Sequence, residues 1–282
     1  KTEVFFGSKI PFVNLRMNYR NHRKIMVVDA KVAYLGGFNI GDEYLGKGEL
    51  GEWRDTHMKI EGNAVLTLQS RFFMDWNAVA KEKNRKDYAE AYFPIADKKG
   101  NTAMQIVTSG PDDEDQTIKM GFLKMISQAK ESIYIQTPYF IPDESLHEML
   151  KIAVLSGVKV KIMIPSKPDH PFVYRATEYF AKDIVEYGAE VYMYQNGFLH
   201  SKVMVVDDEI VSVGTANMDV RSFKLNFEIN AFIYDRDVAE ELIANFDEDQ
   251  KNCIRATHDY FAKQSKWRKF KQAFSRLLSP IL

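Results

Sequence analysis

One motif occurs twice in this chain of 282 residues, and the repeat limits the folds that the chain can adopt. The segments His22–Asp29 and His200–Asp207 both read His-x-Lys-x4-Asp and lie 178 residues apart. At the same offset, eight positions between residues 22 and 39 have an identical partner, without a gap. A solenoid repeat has a period of about 20–50 residues, far shorter than this one. The sequence therefore predicts a duplicated domain.

The residues before the second motif alternate between strand-like and helix-like patterns. The predicted strands are Ala103–Thr108, Ser132–Gln136, Val158–Ile164 and Glu190–Tyr194, and the predicted helices are Glu114–Gln128, Glu144–Leu155 and Phe172–Tyr187. Such alternation indicates βαβ units and a parallel sheet. We therefore expect an α/β fold of two duplicated domains. Each would be a mixed, mostly parallel sheet flanked by helices, with the active site at their pseudo-twofold interface.

The same pattern of predicted elements follows both motifs, but the stretches of chain that precede them differ in length. Strands are predicted at Asp55–Glu61 and Asn226–Tyr234, each followed by a helix, at Asn63–Val79 and Val238–Gln250. Because 21 residues precede the first motif, we expect the chain to start inside its first domain. The predicted organisation is a partial first domain at 1–90, a linker at 91–102, a second domain at 103–256 and a basic amphipathic helix at 257–282.

The histidine and lysine of each motif suit chemistry on a phosphate. They lie two positions apart, so in a strand they project from the same face. An imidazole can attack or shuttle a proton near neutral pH, and an ammonium supplies positive charge for the phosphoryl oxygens. Asn39 and Asn217, each 17 residues after its histidine, offer amide donors to the same oxygens. The two predicted half-sites are His22 with Lys24 and His200 with Lys202.

Two such half-sites together can cleave and re-form a phosphodiester. One histidine forms a phosphohistidine intermediate, while the other protonates the leaving alcohol and then acts as a base. The lysines and asparagines cover the phosphate charge, and the remaining histidines form no zinc-binding pattern. We therefore expect no metal and no cofactor. The spacing does not tell which histidine attacks.

The aspartate that ends each motif belongs to the candidate catalytic set, but its position favours a structural role. Asp29 and Asp207 lie seven residues after their histidines. That separation is on the order of 20 Å along a strand and reaches the opposite face. Both aspartates are predicted in hairpin turns, where aspartate bonds nearby backbone amides. We expect the carboxylates that orient the two histidines to come from Asp55 and Glu228, which begin the strands after the motifs.

These motifs resemble the phospholipase D superfamily, whose hallmark is a doubled His-x-Lys-x4-Asp followed by Gly-x-x-Asn. The match is closer to the bacterial cardiolipin synthases, in segments spread through the chain: Asn18–Lys24, Gly36–Tyr44, Trp53–His57, Gln136–Pro142 and Gly214–Ser222. The resemblance implies transfer of a phosphatidyl group between two phosphatidylglycerol molecules, with release of glycerol. It also implies that His22 is the nucleophile and His200 the acid and base. Thr215 stands where glycine or serine is common in the family, and we expect it to be a harmless substitute.

Two other functions share this motif. One is hydrolysis of a phospholipid or nucleic acid, in which water replaces the acceptor alcohol. The other is lipid binding without catalysis, by a remnant whose first domain is incomplete. The chain has 38 Lys and Arg against 39 Asp and Glu, a net charge of -1, which argues against a nuclease. We therefore expect no nucleic acid among its partners.

The C-terminal tail carries a basic amphipathic pattern. Residues 261–282 contain six Lys and Arg and no acid, and Trp267, Phe270, Phe274 and Leu277 share one helical face. Two interpretations stay open. The helix binds an anionic bilayer surface, or it packs on the domain and leaves a basic face in water.

The family usually begins with membrane-spanning segments, whereas no run in this chain approaches the ~18 apolar residues of a span. We therefore expect the C-terminal portion of such an enzyme, peripheral to the bacterial cell membrane. Its expected partners are phosphatidylglycerol and the anionic membrane surface.

Overall fold

The computed structural model describes residues 1–5 and 18–279. The strands are β1 (Arg20–Asn21), β2 (Ile25–Val28), β3 (Val32–Gly36), β4 (Trp53–Arg54), β5 (His57–Glu61), β6 (Ala103–Ser109), β7 (Ser132–Gln136), β8 (Phe140–Ile141), β9 (Lys159–Pro165), β10 (Glu190–Tyr194), β11 (Phe198–Leu199), β12 (Val203–Val206), β13 (Ile210–Gly214), β14 (Met218–Asp219), β15 (Asn226–Tyr234) and β16 (Cys253–Arg255). The α-helices are α1 (Ala64–Val79), α2 (Thr117–Gln128), α3 (Glu144–Leu155), α4 (Pro171–Glu186), α5 (Val220–Lys224), α6 (Arg236–Gln250), α7 (His258–Ala262) and α8 (Lys266–Leu277). Short 3-10 helices lie at Asp42–Leu45, Glu82–Asn84 and Glu90–Tyr92. Within the described ranges, no helix is both long and apolar enough to cross a membrane.

A nine-stranded mixed sheet forms the centre of the molecule. Its order is β1-β15-β13-β12-β7-β9-β10-β16, and β6 also pairs with β15. Strands β2, β3 and β5 form a separate antiparallel sheet, while β4 with β11 and β8 with β14 form two short parallel pairs. The predicted α/β fold, a mixed sheet flanked by helices, is confirmed.

The prediction that the sheets are mostly parallel is wrong. Parallel pairing in the large sheet is confined to β7, β9 and β10 and to β1 beside β15. The helices α3 and α4 connect β7, β9 and β10 as crossovers, which parallel strands require. Antiparallel pairs dominate elsewhere, because β12 and β13 form a tight hairpin and β15 runs antiparallel to both β13 and β6.

Several predicted elements have different bounds, and local hydrogen bonds explain the differences. Helix α2 begins at Thr117 rather than Glu114, because the Asp113 carboxylate accepts from the Asp115 amide at 3.0 Å and from the Thr117 hydroxyl at 2.8 Å. The strand predicted from Asp55 begins at His57 as β5, because the Asp55 carboxylate accepts from the Thr56 amide at 2.7 Å, and the short strand β4 lies before it. The single helix predicted over 257–282 is two helices, since the Ser265 hydroxyl accepts from the Arg268 amide and starts α8. Residues 280–282 of that prediction lie outside the described residues.

Strand β12 is buried on both faces and joins two parts of the core. Val203 and Val205 belong to a cluster with Leu68 of α1, so this side of the strand packs against the first half of the chain. Met204 and Val206 point the other way, into the cluster formed with α2, α3 and α4. The two halves therefore share a hydrophobic core. Residues 94–102 connect them without regular secondary structure, and the proposed domain boundaries remain a prediction.

The two copies of the motif strand are buried to different extents. Met204 and Val206 are 0% and 1% exposed, whereas the identical Met26 and Val28 are 58% and 40% exposed. Both pairs lie on strands with the same sequence pattern, so the difference comes from what packs against them. Helices cover the second copy and leave this face of the first copy in contact with solvent.

The two motif aspartates sit in matching hairpin turns with different contacts. Asp29 and Asp207 have φ angles of 53° and 52°, in the left-handed region that aspartate tolerates in such turns. The Asp207 carboxylate accepts from the backbone N–H groups at 130, 131 and 132, at 2.7, 2.8 and 2.9 Å, and so fixes the start of β7 to the β12 hairpin. Among the described residues, the Asp29 carboxylate has no such partner. The predicted turns are present, but Asp207 bonds distant amides rather than nearby ones.

We predict that Asp207→Ala lowers the free energy of unfolding by about 2 kcal/mol, because three charge-assisted hydrogen bonds are lost. In a chain of this size that change lowers Tm by about 5 °C. Asp29→Ala is the matched control, because it carries the same backbone cost at positive φ without the hydrogen bonds. Thermal unfolding followed by circular dichroism measures both variants, and equal losses of Tm would contradict the role of Asp207.

Candidate active site

Each motif histidine is held by the backbone of the opposite half of the chain. The short strand β1 ends just before His22 and pairs in parallel with β15, while β11 ends just before His200 and pairs with β4. The pairing continues through the histidines themselves. The His22 amide donates to the Phe227 carbonyl at 2.9 Å, and the His200 amide donates to the Arg54 carbonyl at 2.8 Å. The arrangement brings both motifs to one place with approximate twofold symmetry.

The carboxylates follow the same crossed pattern. His22 Nδ1 lies 2.9 and 3.0 Å from the two carboxylate oxygens of Glu228, and His200 Nδ1 lies 2.7 Å from Asp55 Oδ2. Because a carboxylate accepts, Nδ1 carries the proton and Nε2 is left as the reactive nitrogen of each ring. The structure therefore places Asp55 and Glu228 where a histidine-orienting residue must be. Each of them contacts the histidine of the other motif.

The two half-sites differ at the residue that contacts the carboxylate. The Thr215 hydroxyl donates to Glu228 Oε2 at 2.5 Å, so this residue is a partner of the site rather than a neutral substitute. Its counterpart is Gly37, where an added Cβ would lie 2.2 Å from Asp55 Oδ1. Aspartate has a shorter side chain than glutamate, and the Asp55 carboxylate lies directly against the backbone at Gly37. Only glycine leaves room for the carboxylate at this position. Sequence comparison of the two motifs aligns these positions but does not reveal this contact.

Tyr44 also belongs to the site, and the sequence analysis missed it. Its hydroxyl oxygen lies 2.9 Å from His200 Nδ1, and the hydroxyl donates to Asp55 Oδ2 at 3.4 Å. Burial, followed by the charge of Asp55, raises the pKa of the Tyr44 hydroxyl, so it stays protonated. Only its place in the segment Gly36–Tyr44, which resembles the family, marked it in the sequence.

The motif lysines project into the same buried region. Lys24 Nζ donates to the His22 carbonyl at 2.7 Å, and Lys202 Nζ donates in the same way to the His200 carbonyl. Burial lowers the pKa of Lys24 to about 8 and that of Lys202 to about 7, while Asp55 and Glu228 oppose the shift. Neither ammonium forms a direct ion pair within the described part of the chain. Each is therefore available to an incoming anion, which would stabilise its charged form.

His200 is the more enclosed of the two histidines. Its side chain is 7% exposed, against 28% for His22. Burial, together with the charge of Lys202, lowers the pKa of His200 to about 3, although Asp55 acts in the opposite direction. Burial alone would raise the pKa of Asp55, but Lys202 and His200 outweigh it and hold that pKa below its usual range. In the free protein, His200 is thus a neutral imidazole beside an ionised carboxylate.

The two asparagines are less clearly directed at a phosphate. The Asn217 amide donates to Asp219 Oδ2 at 3.2 Å, and its buried Oδ1 has no hydrogen-bond partner in the described residues. Asn39 is half-buried and makes no side-chain hydrogen bond to the part of the chain that is described. Their role as phosphate donors remains a prediction. In the same ranges, no group of three or more His, Cys, Asp or Glu side chains is arranged to hold a metal.

We predict that His200 makes the fold less stable in acid. Because its pKa of about 3 lies below the ~6.5 of an unfolded histidine, the unfolded chain binds an extra proton between those values and stability falls with falling pH. This contribution amounts to about 2 kcal/mol between pH 7 and pH 5. His200→Gln should reduce the pH-dependent loss by that amount in urea unfolding. His258→Gln, at a side chain 66% exposed, is the control and should leave the slope unchanged; the same slope in both variants contradicts the assignment.

Comparisons with known proteins agree with the resemblance seen in the motifs. A family model described as cardiolipin synthase, PLD-like domain, matches residues 122–250. The cardiolipin synthase of Listeria welshimeri is 57% identical over 279 residues, 99% of this chain and 58% of that protein. The cardiolipin synthase of Staphylococcus aureus is 56% identical over 281 residues, 99% of this chain and 57% of that protein. The chain thus spans somewhat more than half the length of these relatives.

Among solved structures, the phosphatidylserine synthase of Haemophilus influenzae has the same fold. It aligns with a TM-score of 0.68 and 19% sequence identity, over 93% of this chain and 71% of that protein. The fold, the doubled motif and an identity of 56–57% over nearly the whole chain agree with one another. Residues 122–250 match the PLD-like domain of the cardiolipin synthase family, and nearly the whole chain is similar to cardiolipin synthases.

Proposed function

We propose that this chain carries the catalytic centre of a phosphatidyltransferase that converts two molecules of phosphatidylglycerol into cardiolipin and glycerol. The observation that supports it most is the crossed pair of histidine–carboxylate contacts, His22 with Glu228 and His200 with Asp55. Two imidazoles oriented in this way supply a nucleophile and a proton donor at one site. Lys24 and Lys202, which form no ion pair among the described residues, would supply charge for one phosphodiester.

The reaction would proceed in two displacements at phosphorus. Following the family resemblance, His22 Nε2 attacks the phosphorus of the first phosphatidylglycerol, and the bond to the glycerol oxygen breaks. His200 gives its proton to that oxygen, and glycerol leaves. A hydroxyl of the second phosphatidylglycerol then loses its proton to His200 and attacks the phosphohistidine, which releases cardiolipin and restores His22.

The enclosed position of His200 adds a condition to this scheme. Since burial keeps the pKa of His200 far below neutrality even beside the ionised Asp55, the ring needs a second negative charge before it can hold a proton. The phosphodiester of the substrate brings that charge. Protonation of the acid would thus accompany substrate binding.

The proposed partners are phosphatidylglycerol and an anionic membrane surface, with the catalytic part peripheral to the bacterial cell membrane. The near-zero net charge of -1 gives no support to a nucleic acid substrate. The cardiolipin synthases to which it is similar are longer than this chain. Activity of the chain by itself is therefore the first point to test.

We predict that the chain, incubated with headgroup-labelled and acyl-labelled phosphatidylglycerol in detergent micelles, produces cardiolipin and glycerol. Phosphatidic acid as the main product would instead support a hydrolase, and no product in the presence of lipid binding would support a binding remnant. His22→Gln and Lys202→Met should reduce turnover by roughly 1000-fold or more. His258→Gln is the control and should keep full activity. Samples quenched in denaturant at neutral pH, because the N–P bond hydrolyses in acid, should contain acyl-labelled phosphohistidine in the parent protein but not in His22→Gln.

We predict a smaller effect at Thr215, because its hydroxyl orients Glu228 rather than touching the substrate. Thr215→Val removes the hydrogen bond and keeps the shape, so kcat should fall by about tenfold with little change in KM. Thr215→Ser keeps a hydroxyl and should restore most of the activity. Equal kcat in the valine and serine variants would contradict this positioning role.

A further inference from the structure

Helix α8 faces the protein with its polar side and the solvent with its apolar side. Gln272 and Ser275 are each 2% exposed, whereas Trp267, Phe270, Phe274 and Leu277 are 63%, 59%, 48% and 73% exposed. An ordinary surface helix shows the opposite arrangement. The helix packs on the domain and leaves Lys266 and Lys271 in water, as the second interpretation of the tail has it, but it packs through its polar side and leaves its apolar side in water as well.

A buried polar cluster fixes α8 in this orientation. Glu178 of α4 has a fully buried side chain and accepts hydrogen bonds from Arg268, from Gln272 at 3.2 Å and from Arg175 at 2.9 Å. Rotating the helix to bury its aromatic residues would remove Arg268 and Gln272 from this carboxylate. Glu178 would keep only Arg175 of its own helix, and the loss of partners from a buried charge is strongly unfavourable. The apolar side is thus held outward by the contacts on the polar side.

The outward residues form one continuous surface with the start of α4. Phe172, itself 56% exposed, lines a groove of about 410 Å³ together with Trp267, Phe270 and Phe274. Trp267 and Phe270 stack with their ring centroids 5.5 Å apart and their planes 10° apart. We call Phe172, Trp267, Phe270, Phe274 and Leu277 the aromatic surface. Contiguous apolar patches of this kind mark binding sites rather than ordinary solvent-exposed surface.

The charges around the aromatic surface indicate what it binds. Residues 261–279 carry six Lys and Arg and no acid. Lys266 and Lys271 are exposed beside the aromatic rings, and Lys271 Nζ lies 5.2 Å from the centre of the Trp267 ring. A second copy of this chain is a poor partner, because a symmetric contact would bring two such basic clusters together. Anionic lipid headgroups match both the charge and the aromatic side chains.

We propose that the aromatic surface docks this protein on an anionic phospholipid bilayer, with the aromatic side chains in the headgroup region and the lysines against the phosphates. Binding would scale with the buried apolar area and with the anionic fraction of the lipid.

This surface lies at the active-site end of α4. Asp169, three residues before Phe172, accepts a hydrogen bond from the Tyr139 hydroxyl. Burial and the charge of Asp169 raise the pKa of the Tyr139 hydroxyl most, and Asp219 and Tyr44 raise it further. Tyr139 therefore lies near both of these residues. Tyr44 in turn contacts His200. Docking through α4 and α8 would therefore bring the proposed catalytic histidines close to the headgroups. This step rests on the proposed function, whereas the docking itself does not.

Co-sedimentation with large vesicles tests the docking without any turnover. The full chain should bind vesicles of equal parts phosphatidylglycerol and phosphatidylcholine, and bind pure phosphatidylcholine about tenfold or more weakly. Changing Trp267, Phe270 and Phe274 together to serine should reduce the partition coefficient on the mixed vesicles at least about tenfold. Ile152→Ser with Leu155→Ser is the control, because α3 has the same length and these residues are 55% and 70% exposed. Binding that survives in the triple variant overturns the proposal.

Two further measurements separate docking from folding and from catalysis. Tryptophan emission should shift to the blue on the mixed vesicles, and Trp267→Phe should bind with nearly the same affinity but lose most of that shift. If phosphatidyltransferase activity is present, the triple serine variant should keep it in detergent micelles and lose it on vesicles. A chain that is inactive in micelles but binds vesicles through Trp267 contradicts the proposed function and leaves the docking intact. An unshifted emission in the bound parent protein contradicts the docking surface.

Discussion

The crossed contact between each motif histidine and the carboxylate of the other half is the interaction on which the site depends. His22 reaches Glu228 and His200 reaches Asp55, so neither half holds an oriented imidazole by itself. The same crossing appears in the backbone, where β1 pairs with β15 and β11 pairs with β4. The shared core around β12 keeps the halves in the register that these contacts require. A shift of one half by a residue would separate both imidazoles from their carboxylates at once.

Burial gives the site its electrostatic character. Asp55 and Glu228 have fully buried side chains, and their charges are tolerated because histidines and lysines surround them. The two lysines are shifted toward their neutral forms. Burial lowers the pKa of Lys24 and Lys202 by more than the charges of the carboxylates raise it. In the proposed reaction, the phosphodiester anion of the substrate would add negative charge here, and it would stabilise the protonated lysines and the imidazolium together.

The sequence predicts the components of the candidate site but not their pairing. Residues two apart on a strand share a face whatever surrounds them, so the histidine–lysine pairs could be predicted from spacing. The pairing of His22 with Glu228 joins residues 206 positions apart and depends on how the halves pack. Tyr44 and Thr215 could not be predicted for the same reason, because their contacts with His200 and Glu228 exist only in the folded protein. Asp207 was correctly placed in a turn, yet the amides it binds belong to the start of β7.

The orientation of the C-terminal helix also could not be predicted from the sequence. Helical spacing establishes that Trp267, Phe270 and Phe274 lie on one face, but it does not establish which way that face points. The direction is set by Glu178, a charged residue 90 positions earlier than Arg268, whose buried carboxylate draws in the polar side of the helix. A single buried acid on α4 therefore converts an amphipathic pattern that usually packs inward into an exposed aromatic surface. Rotating the helix would take Arg268 and Gln272 from this buried carboxylate and leave it only Arg175, and that loss favours the outward orientation.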